Sequence, residues 1–158
     1  VIRLALYQPE IPQNTGAIMR LVACLGVALD VIEPTGFIWD EKRMRRTGMD
    51  YRELAAVTRH ASWEEFHQAK QGRLLLLTTK GAAPYQQFTY QPGDVLLLGR
   101  ESSGVPDEVH AAADARLLIP MAPKARSLNV SVSAGIVLAE ALRQTQSLPP
   151  FPPVEPEA

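Results

Sequence analysis

Five short runs, each apolar on both of the alternating faces a strand would have, constrain this chain more than any other feature. They are IRLALY at 2–7, ALDVIE at 28–33, RLLLLTT at 73–79, DVLLLG at 94–99 and RLLIP at 116–120. A strand with one wet face alternates apolar and polar residues, whereas a strand apolar throughout is buried on both faces. The expectation is a mostly parallel sheet covered by helices. Helical periods fill the gaps: about 15–25, a weaker region at 40–56, 63–70, a short helix after Pro106, and a long one over about 130–146. Ser62 and Glu65 have capping-box spacing, and Pro106 suits a first helical turn. Alternating strands and helices predict an α/β fold with helices on both faces of the sheet.

At 158 residues the chain has the length of one domain, and a chain near 150 residues buries roughly 68–70% of its unfolded surface. No internal repeat or linker divides it. The domain is expected over 1–148, and residues 149–158, with five prolines from Pro149 to Pro156, read as an extended tail with no chemistry assigned. No apolar stretch approaches the roughly 20 residues of a membrane span. A lone Cys24 and an amino terminus without the apolar core of a secretory signal point to the cytoplasm.

Sixteen Lys and Arg against seventeen Asp and Glu leave a net charge of -1, unlike a protein that holds nucleic acid by bulk charge. Any such contact must be local. KRMRR supplies Lys42, Arg43, Arg45 and Arg46, followed by Arg52 and Arg59, with Asp40, Glu41, Asp50 and Glu53 partly offsetting them. Taken alone, this cluster is either an RNA contact or a solvated helix face.

Several chemistries are poorly supported. Gly99 and Gly104 have Walker-like spacing, but Val105 and Pro106 stand where the phosphate-binding Lys and Ser/Thr belong. No GxGxxG follows a strand, so the usual dinucleotide loop is missing. Cys24, His60, His67 and His110 have no metal-ligand spacing, and the histidines read as surface or capping residues. Ser102 lacks the preceding glycine of a nucleophile elbow.

Three segments place polar residues beside apolar strand ends, where ligands of open α/β sheets bind. In QPEIPQNTGAIMR, Ile18, Leu21, Val22 and Leu25 share a core-facing stripe, and Gly16, Arg20 and Cys24 share another. Asn14 is expected to cap the helix, Gly16 to leave its first turn bare, and Arg20 to lie one turn along, an arrangement suited to a phosphate. In LLLGRESSGVP, Glu101 follows the strand end at Gly99, in either a binding role or a capping or salt-bridging one. In IPMAPKARSLNVSVSAGIVLAE, Ser127 or Asn129 caps the next helix, while Ser131, Ser133, Ala134 and Gly135 keep its first turns slim enough for a ligand, loop or second subunit.

In this order and spacing, NTGAIMR, LLLGRESSGVP and IPMAPKARSLNVSVSAG resemble the three motifs of the trefoil-knotted SPOUT family of RNA methyltransferases, over nearly the whole chain to about residue 146. The likeness is to the minimal form without appended RNA-binding domains. YQPEIPQNTG, GFIWDEKRMRRTGMDY and AVTRH are similar to the small subgroup that methylates the 2′-hydroxyl of cytidine or uridine at wobble position 34 of tRNA.

The resemblance implies a carboxy-terminal trefoil knot, which physical rules of chain connection would not predict. It implies S-adenosylmethionine bound bent beside Leu77, Thr78, Thr79, Gly99, Glu101, Ile119, Met121, Ser127 and Leu128, with no metal. It gives Arg20 the catalytic role, sometimes described as general base; the difficulty of deprotonating a guanidinium favours phosphate holding and oxyanion stabilisation instead. Asn14 would orient Arg20 or the phosphate, and Glu101, Ser127 and Asn129 would position cofactor and ribose. It further implies a homodimer completing each site, with the slim faces at Gly16 and Gly135 available for contact and two clusters of Lys42, Arg43, Arg45 and Arg46 gripping one anticodon arm. A knotted methyltransferase for another tRNA or rRNA position, and a noncatalytic RNA-binding module, are the alternatives.

Overall fold

A computed structural model of the chain describes residues 1–40, 42 and 57–155. Seven strands form one sheet in the order β3-β2-β1-β6-β4-β7-β5, and every pairing is parallel. They are β1 (Arg3–Tyr7), β2 (Ala28–Ile32), β3 (Val57–His60), β4 (Leu74–Leu77), β5 (Ala83–Pro84), β6 (Val95–Leu98) and β7 (Ala115–Leu118). The five expected strands are all present. β3 and β5 were not anticipated, because VTRH is an edge strand with exposed middle residues and β5 is two residues long.

The leucine runs explain themselves once both faces are followed. Leu4, Leu6, Leu29, Val31, Leu75, Leu96, Leu98 and Leu117 enter one core with Ile18, Met19, Val22, Ala134, Val137, Leu138 and Ala141. Their sequence neighbours Ala5, Tyr7, Ile32, Leu74, Leu76, Val95 and Leu97 enter a second core with Trp63, Phe66 and Val109. Helices α1 (Pro12–Leu25) and α4 (Val130–Gln144) cover the first face, and α2 (Trp63–Ala69) and α3 (Asp107–Ala112) cover the second.

Some local readings are corrected. α1 begins at Pro12 with Ile11 at the N-cap, so Asn14 lies inside the first turn and caps nothing there; a proline in the first turn starts the helix earlier than the Asn signal suggests. Pro106 is the N-cap of α3, one residue ahead of its first turn. Ser62 does cap α2, accepting from Glu65 N–H at 3.1 Å. Gly16 is buried, and a Cβ on Gly135 would lie 3.9 Å from Leu21 on α1, in ordinary contact. His60 is not a surface residue but pairs with buried Asp30, which Arg3 also holds. The helix expected at 40–56 lies almost wholly outside the described residues.

In a parallel sheet all carboxyl ends point to one edge, so the segments following β1, β4, β6 and β7 converge there. No helix among the described residues is long and apolar enough to cross a membrane.

Candidate active site

The converging segments enclose a cavity of about 760 Å³. Its floor is the strand ends Leu76, Leu77, Leu98 and Leu117. Thr78, Thr79 and Lys80 continue from β4, Gly99 to Val105 from β6, and Ile119 and Met121 from β7; Ser127 to Val130 and Ser133 arrive with α4, Ile11 and Asn14 with α1, and Asp107 and His110 with α3.

The β6 loop is a tight double-bonded turn. Arg100 N–H donates to the Gly104 carbonyl and Gly104 N–H to that of Arg100, each at 3.0 Å, and Gly104 takes φ +64°. Gly99 is pressed against it: a Cβ would stand 2.7 Å from Gly104 Cα and 2.8 Å from its carbonyl carbon. The Arg100 guanidinium also lies 5.4 Å from the centre of the Tyr7 ring.

Two carboxylates lock this loop to the segment before α1. Glu101 accepts from Glu10 N–H at 2.8 Å and, from 90 residues away, from the N–H of the N-cap residue Ile11 at 3.2 Å, satisfying backbone donors at the entrance to α1. Glu10 reciprocates, accepting from Ser102 N–H at 3.0 Å and from its hydroxyl at 2.7 Å. The Ser102 amide, then its hydroxyl, hold the Glu10 carboxyl below its ordinary pKa. Both Glu101 oxygens therefore serve the helix start as well as facing the cavity.

A second tie crosses the rim. Asn129 is the N-cap of α4, its Oδ1 accepting from Ser131 N–H at 2.8 Å and Val132 N–H at 3.4 Å, while its Nδ2 donates to Asn14 Oδ1 at 3.0 Å. Of the two capping candidates, Asn129 takes the role, and Ser127 stays exposed on the rim. Thr78 N–H donates to the Leu117 carbonyl at 2.9 Å, fixing the β4 exit.

Every residue expected along the donor lies on this cavity, as do Asn14 and Asn129. Arg20 does not: it is exposed on α1, six residues beyond Asn14 and turned to another side of the helix. Lys42 is exposed, its N–H donating to Asp40 at 2.9 Å, and Arg43, Arg45 and Arg46 lie outside the described residues. Sequence reasoning missed Glu10, Arg100, Lys80 and His110, whereas Ser133, expected to leave room for a ligand, does line the cavity. His110 Nε2 is buried without a hydrogen-bond partner among the described residues. The Glu10–Ser102 pair spans 92 positions, so no local pattern announces it.

Comparison with known proteins gives a consistent set of likenesses. The SpoU rRNA Methylase family matches residues 1–139. A curated tRNA (cytidine(34)-2′-O)-methyltransferase of Beijerinckia indica subsp. indica is 55% identical over 148 residues, covering 92% of each chain. A solved structure described as giving insight into the 2-OH methylation of C/U34 on tRNA superposes with a TM-score of 0.84 at 39% identity, over 90% of this chain and 95% of that one. An AdoMet-bound rRNA methyltransferase from Sinorhizobium meliloti does so with a TM-score of 0.80 at 28% identity, over 90% of this chain and 56% of the other.

Proposed function

The chain belongs to the SpoU rRNA methylase family, and from that premise we propose that it is a tRNA 2′-O-methyltransferase acting on the ribose of cytidine or uridine at position 34, with S-adenosylmethionine as donor. The observation that carries the reading is the meeting, on one cavity at the carboxyl edge of a parallel sheet, of Leu77, Thr78, Thr79, Gly99, Glu101, Ile119, Met121, Ser127 and Leu128 from three separate loops. Identity of 55%, over 92% of each chain, with a protein named for that reaction at cytidine supports the substrate. Family membership also implies the trefoil knot.

The residues present fit the donor. The cavity is within the roughly 300–1,000 Å³ of small-molecule sites, with an apolar floor of strand ends and a rim rich in polar side chains. Leu77, Ile119, Met121 and Leu128 offer flat apolar contact for an aromatic base, and the loop backbones offer amides and carbonyls to read its edge. When bound, S-adenosylmethionine supplies a methyl group on a cationic sulfur, already activated toward an oxygen nucleophile. What remains for the protein is alignment and charge. Glu101 and Glu10 hold the β6 loop against α1, and Asn129 holds the α4 entrance to Asn14, so the cavity walls are fixed before ligands arrive. Ser127, on the rim, can hydrogen-bond donor or ribose.

Arg20 stabilises charge. Its guanidinium holds a substrate phosphate, which assists removal of the ribose hydroxyl proton, and stabilises the negative charge developing on the oxygen as it attacks the methyl carbon and the methyl–sulfur bond breaks. Turned from its own chain's cavity, it reaches a site when two copies associate along α1, each lending Arg20 to the other; we therefore propose a homodimer. Lys42, Arg43, Arg45 and Arg46 contact the anticodon arm. Residues 1–148 form the methyltransferase domain, 149–158 a tail outside it, and the enzyme works in the cytoplasm.

The test is to incubate the protein with labelled donor and total tRNA from cells lacking the activity and to map the modified ribose by mass spectrometry. Methylation at position 34 is expected, and Arg20→Ala is expected to lower turnover about 10²–10³-fold with donor binding retained. Methylation elsewhere, or full turnover by the variant, overturns the respective assignment.

A further inference from the structure

The segment leaving β2 carries a group of side chains that the reaction as described does not use. Ile38 is 77% exposed, far more than any other large apolar residue among the described residues between Ile2 and Leu148. It stands between Phe37 and Trp39, whose rings are 6.3 Å apart and inclined by 22°. The Arg59 guanidinium lies 4.9 Å from the centre of the Trp39 ring and pairs with Glu33 at the root of the segment. Phe37 and Trp39 pack against the core, so Ile38 is the tip of a supported projection and not a stray side chain on a loose loop.

The projection is tied to the cavity through a short chain of contacts. Gly36 N–H donates to the Pro9 carbonyl at 2.9 Å, and a Cβ on Gly36 would lie 3.0 Å from Glu10 Cα. Glu10 is bonded to Ser102 on the β6 loop, and Ile11 lines the cavity. Two cations adjoin it among the described residues: Arg59 against the Trp39 ring, and exposed Lys42 four residues on. Of the nearby acids among the described residues, Glu33 is engaged by Arg59, and Asp40 accepts from the Lys42 amide.

We propose that Ile38, backed by Trp39 and Arg59, is a wedge that receives an unpaired base of the RNA substrate next to the methylated nucleotide. Apolar tips that enter between bases, and planar groups that support a splayed base, are the recurrent means of holding an unstacked strand. The flanking cations favour RNA over an uncharged protein partner, and the bonded path from Gly36 to the β6 loop sets the wedge at a fixed position relative to the cavity. The inference rests on the reading of the site as an RNA methyltransferase.

The experiment uses the full chain and a 17-nucleotide anticodon stem-loop carrying 2-aminopurine beside the target nucleotide, with Ile38→Ser and Ile38→Phe compared. Unmodified protein should change the probe's fluorescence on binding. Ile38→Ser should reduce that change and raise the KM for the stem-loop about five- to ten-fold, with kcat and donor Kd held; Ile38→Phe should restore both. An Ile38→Ser protein with unaltered probe signal and KM overturns the proposal, as does one that sediments as a smaller species, which would make Ile38 a contact between copies. Absence of methyl transfer by the unmodified protein would instead overturn the reaction assigned above, and the fluorescence comparison still decides the wedge.

Discussion

Gly99→Ala is the substitution whose consequence can be worked furthest from the geometry. The new methyl would meet Gly104 Cα at 2.7 Å and the Gly104 carbonyl carbon at 2.8 Å. Both are backbone atoms, so no side chain can swing aside; the turn must open by several tenths of an ångström. That turn is closed by two backbone hydrogen bonds between Arg100 and Gly104, and overpacking a fixed environment costs about 1–3 kcal/mol. The displaced loop carries Glu101 and Ser102, so the strain passes to the cap of α1 and to the cavity wall at once. Misplacement of about 1 Å can cost near 10²-fold in rate. Thermal unfolding should show a Tm lower by several degrees, and single-turnover methyl transfer to an anticodon stem-loop should fall about ten- to a hundred-fold. Were the variant to melt and turn over as the unmodified protein does, the rigidity assigned to this loop, and its part in shaping the cavity, would be refuted.

Two further outcomes follow from the polar contacts. Asp94 is fully buried, bonded to Arg73 at 2.8 and 2.7 Å and to Gln91 N–H at 2.9 Å; Asp94→Asn should cost about 2–3 kcal/mol in urea unfolding, less than for a wholly buried pair because Arg73 is 33% exposed, and a loss below about 0.5 kcal/mol would contradict the pairing. The Glu10 carboxyl is held below its ordinary pKa by Ser102, so its stabilisation is complete above the unfolded glutamate pKa and is lost as pH falls through the lower folded value. The Tm advantage of the unmodified protein over Glu10→Gln should therefore shrink on acidification below about pH 4.3, and an advantage that grows with acid would reverse the assignment.

The sheet was legible because burial on both faces leaves its mark on every residue of a strand. Leu74–Leu77 and Val95–Leu98 have no polar position to confuse with a loop. β3 left no such mark, since an edge strand needs little apolar surface, and its register with β2 is set by backbone pairing from Leu29–Val57 to Ile32–His60. The start of α1 was misread because Asn14 and Pro12 compete as signals, and the proline's fixed φ prevailed. At the site, the residue types were legible and their partners were not. Asn129 could be seen as a cap from its place before α4, but its bond to Asn14 spans 115 positions. Glu101 stood out as a polar residue beside an apolar strand, yet what it holds is the beginning of a helix 90 residues earlier.

That long-range exchange of carboxylates also bears on how a chain of net charge -1 can act on RNA. At physiological ionic strength charges beyond about 8 Å are largely screened, so the sum over the molecule matters less than what is left uncompensated near the bound phosphates. Glu101 lines the cavity and Glu10 is bonded to the same loop, their oxygens turned to N–H and O–H donors of the α1 entrance and of Ser102. Their charge is spread into backbone dipoles and a helix start, where an anion is favoured. Lys80 and Arg100 line the same cavity, and Lys124 and Arg126 are exposed on the loop that supplies its rim. Two carboxylates needed for the shape of the cavity are thus engaged while Lys80 and Arg100 face an incoming strand. An overall charge near zero and local affinity for phosphate are compatible because Glu10 and Glu101 are spent on holding the β6 loop to α1.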